Sequence, residues 1–264
     1  MVDRLNNIYF DPEIIYEFND KAKLYSHLWS QIKPNPDYEI EDEEDEVLQF
    51  IPMQNKEKYL DDDGKFENII SSRRSILMDS FKGNITSRQL MELLRINFVS
   101  SENRIIHLEK KEITVNLRPY PSGGALYPIQ LYCYIKDIDG ITEGLYKISS
   151  AGLSKIKNKI SLRELEELSP ITLFKDDPKC KTFKNVNVLF FFVMNYGKNF
   201  DKYGLLAHRL GYLEAGHIAQ NLLLTAEYLQ LDCLPLCGYF DDKVEGLLGI
   251  DGKKKCCIYM IAMG

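Results

Sequence analysis

Three segments of the 264-residue chain hold residue types able to do chemistry. Ser72-Arg73-Arg74-Ser75 sets two guanidiniums among hydroxyls, a fork suited to a phosphate, although two surface arginines need no role at all. Arg118-Pro-Tyr-Pro-Ser-Gly-Gly-Ala-Leu-Tyr-Pro128 places Gly123 and Gly124 among prolines. A backbone of that kind can approach a ligand without interference from Cβ atoms. Its N–H groups suit a flat polar heterocycle, and the same residues also suit an ordinary tight turn. The third segment is a long apolar helix expected over about 202–229. At about 100° per residue, Tyr203, Leu210, Glu214, His217, Asn221 and Tyr228 share one stripe. Leucines and alanines fill much of the remaining circumference, so the helix is expected to be buried. Its polar stripe then needs partners in the core, across a subunit interface or on a cofactor.

Patterning names the elements that must hold these segments. Thr86-Ser-Arg-Gln89 has the form of a capping box and leads into Leu90, Leu93, Leu94 and Ile96 at helical spacing. Residues 129–136 and 144–148 read as strands. The unbroken apolar run 186–194 (VNVLFFFVM) marks a strand covered on both faces. Residues 256–263 (CCIYMIAM) read as another buried strand, and the arginine pair is expected just ahead of a helix. Helices and strands mix without a strict βαβ alternation, which predicts an α+β domain over 66–264. Residues 1–65 read as an N-terminal extension. In it Asp11-Pro12 opens a helix, Pro34 and Pro36 close it, and an acidic linker follows. Its segment 47–52 (VLQFIP) is apolar enough to pack back on the main domain.

The chain holds 33 basic and 39 acidic residues, a net charge of −6. Twelve of the acids, against two lysines, lie between Asp37 and Asp63. That stretch reads as a solvated face or as a dock for a basic partner. No Lys/Arg cluster of the kind that tracks nucleic acid appears, and the lysines near 155–159 and at 253–255 read as solvated turns. No apolar run reaches the roughly 18 residues of a membrane span, and the N-terminus lacks a secretion signal. A cytoplasmic protein is expected, its six cysteines free thiols. No metal site is expected, since Cys233 and Cys237 lack a complementary Cys/His pair at zinc spacing. The motifs G-x-G-x-x-G, H-E-x-x-H and G-x-S-x-G are absent. Residues 246–254 (GLLGIDGKK) have the wrong glycine spacing for a P-loop and lack its magnesium-binding Ser/Thr. A dinucleotide fold and an NTPase are thereby disfavoured.

In their order along the chain, RRS at 73–75, RPYPSGGALYP at 118–128, EAGHIAQN at 214–221, GYFDD at 238–242 and LLG at 247–249 form a recognisable series. They resemble the nitroreductase-like flavoproteins and, among them, the SagB-type (McbC-like) azoline dehydrogenases, from about Arg73 to Gly264. The resemblance implies a nitroreductase-like α+β fold, a central mixed or antiparallel sheet flanked by helices, in a homodimer with FMN at the interface. It implies oxidation of thiazolines or oxazolines in a ribosomally made precursor peptide, beside a YcaO-type cyclodehydratase, with molecular oxygen reoxidising the flavin. By the same resemblance Arg73, Arg74 and Ser75 hold the FMN phosphate and ribityl chain, and Pro121, Ser122, Gly123 and Gly124 contact the isoalloxazine. Gln220 and Asn221 reach the flavin across the interface, and Gly238 lies near its reactive edge. Lys202 and Tyr203 stand where the family carries its catalytic Lys-Tyr pair. Leu77 stands where relatives often have a further basic residue, and no basic tail follows Gly264. Either a lower FMN affinity is therefore expected, or another residue such as Arg209 substitutes.

The residue types suit that chemistry. Converting an azoline to an azole removes a ring proton and a hydride; the cofactor takes the hydride, and a base must reach the proton. An ordinary phenol, pKa about 10, is mostly protonated at pH 7, and a neighbouring ammonium favours the phenolate. Adjacent helical residues do not face each other, so a Lys-Tyr pair works best on an irregular turn. Two other readings stand beside this one. One is a general FMN-dependent NAD(P)H reductase of nitro or quinone compounds. The other is a non-catalytic scaffold subunit of a synthetase complex, with the acidic 37–63 segment as its functional part.

Overall fold

The computed structural model describes residues 49–52, 66–99, 102–108, 111–169, 182–204 and 206–264. The expected helix after Asp11 and the acidic run at 39–46 lie outside the described residues.

Among the described residues seven strands form one sheet in the order β1-β6-β5-β4-β7-β9-β8. They are β1 (Gln49–Pro52), β4 (Ile129–Ile135), β5 (Gly144–Ser149), β6 (Gly152–Lys157), β7 (Val188–Asn195), β8 (Cys233–Leu236) and β9 (Lys255–Met263). Every pairing in this sheet is antiparallel. The hairpin of β2 (Glu102–Leu108) and β3 (Lys111–Leu117) forms a separate two-stranded sheet. β1 lies within the apolar 47–52 segment and pairs along β6, so this piece forms the edge of the sheet.

All positions of β4 and β7 are buried, because helices and loops cover both faces of the sheet. On one face lie α2 (Ser87–Phe98) and α5 (Leu206–Tyr228), whose Leu90, Leu94, Ile218 and Leu222 pack with Phe190 and Phe192. On the other, Leu165 of α3 (Leu162–Glu166) and Val244 of α6 (Asp241–Leu248) pack with Phe183, Phe191 and Met260. The predicted capping box opens α2: Thr86 Oγ1 accepts the Gln89 amide at 3.2 Å and Gln89 Oε1 accepts the Thr86 amide at 3.0 Å. Two orphan donors are thereby satisfied.

Two differences from the sequence-based expectations affect the site. The helix expected over about 202–229 is broken. α4 (Phe200–Tyr203) is a single turn, Gly204 takes φ 52°, and α5 begins at Leu206. The arginine pair, expected just ahead of a helix, follows α1 (Phe66–Ser72) and precedes only a 3-10 turn at Met78–Ser80. The Ile76 amide donates to Cys233 O at 2.9 Å, which draws this segment alongside β8. α5 lies close on the sheet because residue 211 is glycine; a Cβ there would collide with Met194 Cε.

Candidate functional site

The segment between β3 and β4 is pinned from several directions. Arg118 donates its amide to Tyr127 Oη at 3.0 Å and Nη1 to Tyr120 Oη at 2.7 Å. Its guanidinium lies 4.6 Å from the Tyr127 ring centroid, a cation–π distance. Tyr120 and Tyr127 meet edge to face at 5.8 Å, and burial pushes the Tyr120 phenol up to about 12. Ser122 closes the turn, its carbonyl accepting the Ala125 amide at 3.1 Å and its Oγ the Tyr127 amide at 3.0 Å. Gly124, Ala125 and Tyr127 have φ of 64°, 55° and 49°. Left-handed conformations cost non-glycine residues about 1–2 kcal/mol, so these contacts hold a backbone that would otherwise relax.

Helix α5 fixes the same segment along its length. Asn221 Nδ2 donates to Pro119 O at 3.0 Å, Leu210 lies against Gly123, and Glu214 Oε1 accepts the Ile129 amide at 3.2 Å. Glu214 is 1% exposed, and its Oε2 makes no hydrogen bond. Burial raises its pKa, while Ser122, the Ile129 amide, Arg118 and Lys198 pull it partly back. The expected polar stripe therefore divides: Glu214 is buried, Asn221 is half-buried, and His217 is exposed.

Tight turns after β7 bring Lys202 and Tyr203 to this loop. Asn195 Oδ1 accepts the Gly197 amide at 3.1 Å, Asn199 O accepts the Tyr203 amide at 3.0 Å, and Asn199 Nδ2 donates to Ala207 O at 3.2 Å. A Cβ on Gly124 would collide with Tyr203 Oη and stand 2.9 Å from Lys202 Nζ. Lys202 Nζ also lies 5.2 Å from the Tyr203 ring centroid. Because α4 is a single turn ending at Gly204, both side chains can reach the loop, which a continuous helix would prevent.

Of the remaining candidates, Arg73, Arg74 and Ser75 form a second group, whereas β8 carries Gly238 back toward the Met194 end of the sheet. Arg73 is half-buried, and Arg74 and Ser75 are exposed. Arg74 Nη1 donates to Ser71 O at 2.7 Å and to Arg73 O at 2.8 Å, satisfying a carbonyl at the end of α1. Arg73 lies near Cys233, whose thiol burial pushes up to about 11 against the opposing guanidinium. Gly238, exposed between β8 and α6, accepts the Ser169 hydroxyl on its carbonyl. Gln220 is exposed on α5.

Register separates the two groups. Ile129, Met194 and Cys256 align at one end of the sheet, where the glycine-rich loop and Lys202-Tyr203 lie. Ile135, Val188, Met263 and Cys233 align at the other, beside Arg73–Ser75. The seven residues of β4 span about 20 Å at roughly 3.3 Å each, so the two groups stand about that far apart along the sheet.

Arg118, Leu210 and Tyr127 as loop clamps were not anticipated; a cation flanked by tyrosines around the glycines was the available signal. A second unanticipated group joins Tyr196 Oη to His208 Nδ1 at 2.7 Å, with Tyr212 edge-on to His208 at 4.6 Å. Among the described residues no group of three or more His, Cys, Asp or Glu is placed to hold a metal. No helix among them is long and apolar enough to cross a membrane.

An antiparallel sheet with helices on its faces and a glycine-rich loop at one end defines a nitroreductase-like α+β fold. The chain belongs to the Nitroreductase family, which matches residues 70–264, and this places it among flavin-dependent oxidoreductases. A Methanocaldococcus jannaschii protein named as a nitroreductase is 25% identical over 197 residues, 70% of this chain and 85% of its own length. A nitroreductase-type structure from Anabaena variabilis superposes with a TM-score of 0.57 at 24% identity, over 75% of this chain. This chain spans only 37% of that longer one. A chain of the E. coli microcin synthetase McbBCD complex, with truncated pro-MccB17 bound, superposes with a TM-score of 0.56 at 20% identity. That match covers 98% of this chain and 95% of the other. At these identities the structural matches establish the fold.

Proposed function

We propose that the protein is an FMN-dependent azoline dehydrogenase, oxidising thiazolines or oxazolines in a ribosomal precursor peptide to thiazoles or oxazoles. The observation that carries this reading is the approach of Lys202 Nζ and Tyr203 Oη to Gly124. A phenol and an ammonium beside a backbone loop suit removal of a carbon-bound proton next to a flat ligand. The McbBCD neighbour, with its bound pro-peptide, supports a peptide substrate and an assembly with further subunits. A YcaO-type cyclodehydratase is the partner whose product carries the required ring.

The residues fit FMN. Gly124 is exposed and, lacking a Cβ, lets Tyr203 Oη and Lys202 Nζ close on the loop backbone, and Arg74 and Ser75 are exposed. Bound FMN supplies the hydride acceptor. Arg73, Arg74 and Ser75 would hold its phosphate and ribityl chain, and Pro121, Ser122, Gly123 and Gly124 its ring system. Gln220, Asn221 and Gly238 would complete the enclosure. Tyr203 Oη accepts the ring-carbon proton, and the Lys202 ammonium balances its charge.

Two half-sites at opposite ends of one sheet call for two chains, each flavin shared between them. The exposed face of α5 supplies the contact surface: Tyr212 and Leu213 are 49% and 53% exposed, one and two turns before Gly216 and Gln220. Residues 66–264 form the FMN-binding domain in this reading, with 1–65 as an extension to it.

The test is to supply the purified protein with an azoline peptide and oxygen. A flavin absorption spectrum with loss of two hydrogens per ring is the expected result. Steady NADPH turnover without ring oxidation would identify a nitro or quinone reductase instead, the reading that family membership alone supports. A folded, colourless protein would identify a scaffold subunit.

A further inference from the structure

A cavity of about 200 Å³ opens beside the ends of β4 and β5, on the face of the sheet that α2 and α5 cover. Phe98, Ile129 and Leu131 form a buried apolar floor, and Ile148 packs partly buried against the same core. Arg118, Lys147 and Lys198, from the end of β3, from β5 and from the turn after β7, bring three cations to its walls. Ser149 and Ser150 make an exposed lip. Ser149 Oγ is committed to its own turn, donating to Gly152 O at 3.1 Å and accepting the Ala151 and Gly152 amides at 3.3 and 3.2 Å.

We propose that this cavity binds an organic anion with an apolar body, a carboxylate carried on an aromatic or aliphatic stem. The cations repel a metal ion or an amine. Glu214, whose carboxyl senses both Arg118 and Lys198, sets one acid against three bases, and burial disfavours its ionised form. Lys147 and Lys198 make other polar contacts as well, so the distinguishing feature is the convergence of three cations on an apolar floor. A neutral apolar ligand would desolvate those charges without pairing them. A bare phosphate would leave Phe98 and Leu131 in contact with water. A carboxylate on an apolar stem satisfies both halves, its oxygens taking charge-assisted hydrogen bonds while its body covers the floor. The cavity shares Arg118 with the glycine-rich segment but is lined by neither its glycines nor Lys202 and Tyr203, so its occupancy does not depend on the azoline reading.

The test titrates the full chain with 2-naphthoate, with 2-naphthamide and with inorganic phosphate, by calorimetry or ligand-observed NMR. The acid is expected to bind about tenfold tighter than the amide at low ionic strength, with the advantage shrinking as salt rises. The Lys147→Gln/Lys198→Gln double variant is expected to lose that advantage while keeping its circular dichroism spectrum. Lys147→Gln alone, at a half-exposed strand position, is expected to reduce it severalfold and serves if the double variant fails to fold. Equal binding of acid and amide, phosphate binding as tightly as naphthoate, no detectable naphthoate binding, or an unchanged preference in the folded variants would overturn the assignment.

Discussion

Glu214 Oε1 accepts the Ile129 amide at 3.2 Å, fastening helix α5 to the strand residue at which the glycine-rich loop ends. The bond leaves Oε2 of the same buried carboxyl without a hydrogen bond, and burial lifts the Glu214 pKa above its reference of 4.5. The native state then holds this proton to higher pH than the unfolded chain does. Stability from this group is therefore complete below about pH 4.5 and is lost as pH rises through the native value. Glu214→Gln keeps an acceptor for Ile129 and removes the titration. Melting temperatures from pH 4.5 upward should fall less steeply in the variant than in the wild type. Parallel profiles would show that Glu214 does not titrate abnormally.

Gly124→Ala should disturb the loop and the Lys-Tyr pair together. The residue has φ 64°, and its new Cβ would collide with Tyr203 Oη. The backbone cost is about 1 kcal/mol, a loss of several degrees in melting temperature at most. Azole formation should fall by far more than that. Wild-type turnover by Gly124→Ala would mean that the contact between loop and pair is not used.

Tyr203→Phe should retain flavin and lose about 10²–10⁴ in rate, the usual cost of removing a general base. Lys202→Ala should be milder, since the phenol itself is retained. The readout is loss of hydrogens from an azoline peptide by flavin-replete protein. Equal turnover by Tyr203→Phe and wild type would make Tyr203 a packing residue.

Arg73→Ala should weaken FMN binding by about 10- to 100-fold, the equivalent of one charge-assisted hydrogen bond of about 1.5–3 kcal/mol. Flavin retained on a desalting column, measured by absorbance, is the direct test. Full occupancy in Arg73→Ala would remove the phosphate assignment.

Subunit mixing tests the two half-sites. Arg73→Ala and Tyr203→Phe chains, each impaired alone at limiting flavin, should regain activity when co-refolded or co-expressed. A mixed dimer then has one site built wholly from unaltered residues, drawn from both chains. No recovery, in a mixture that light scattering shows to be dimeric, would place both residues in one chain's site.

Local patterns in the sequence determined the elements. The run 188–194 is buried at every position because an apolar stretch without alternation must be covered on both faces. Thr86 and Gln89 cap α2 because a capping box needs only neighbouring residues. The order of the motifs along the chain determined the family. Tertiary structure alone decided which motifs meet. Lys202 and Tyr203 reach Gly124 because the helix breaks at Gly204, a break that the apolar pattern around it masks. Glu214 finds Ile129 through the packing of α5 on the sheet, which Gly211 permits by leaving room for Met194. Strand order and register carry Arg73–Ser75 to the opposite end of the sheet from the glycine-rich loop. Such long-range placement depends on how every strand pairs at once, whereas a cap or a buried strand depends on a few adjacent side chains and on water.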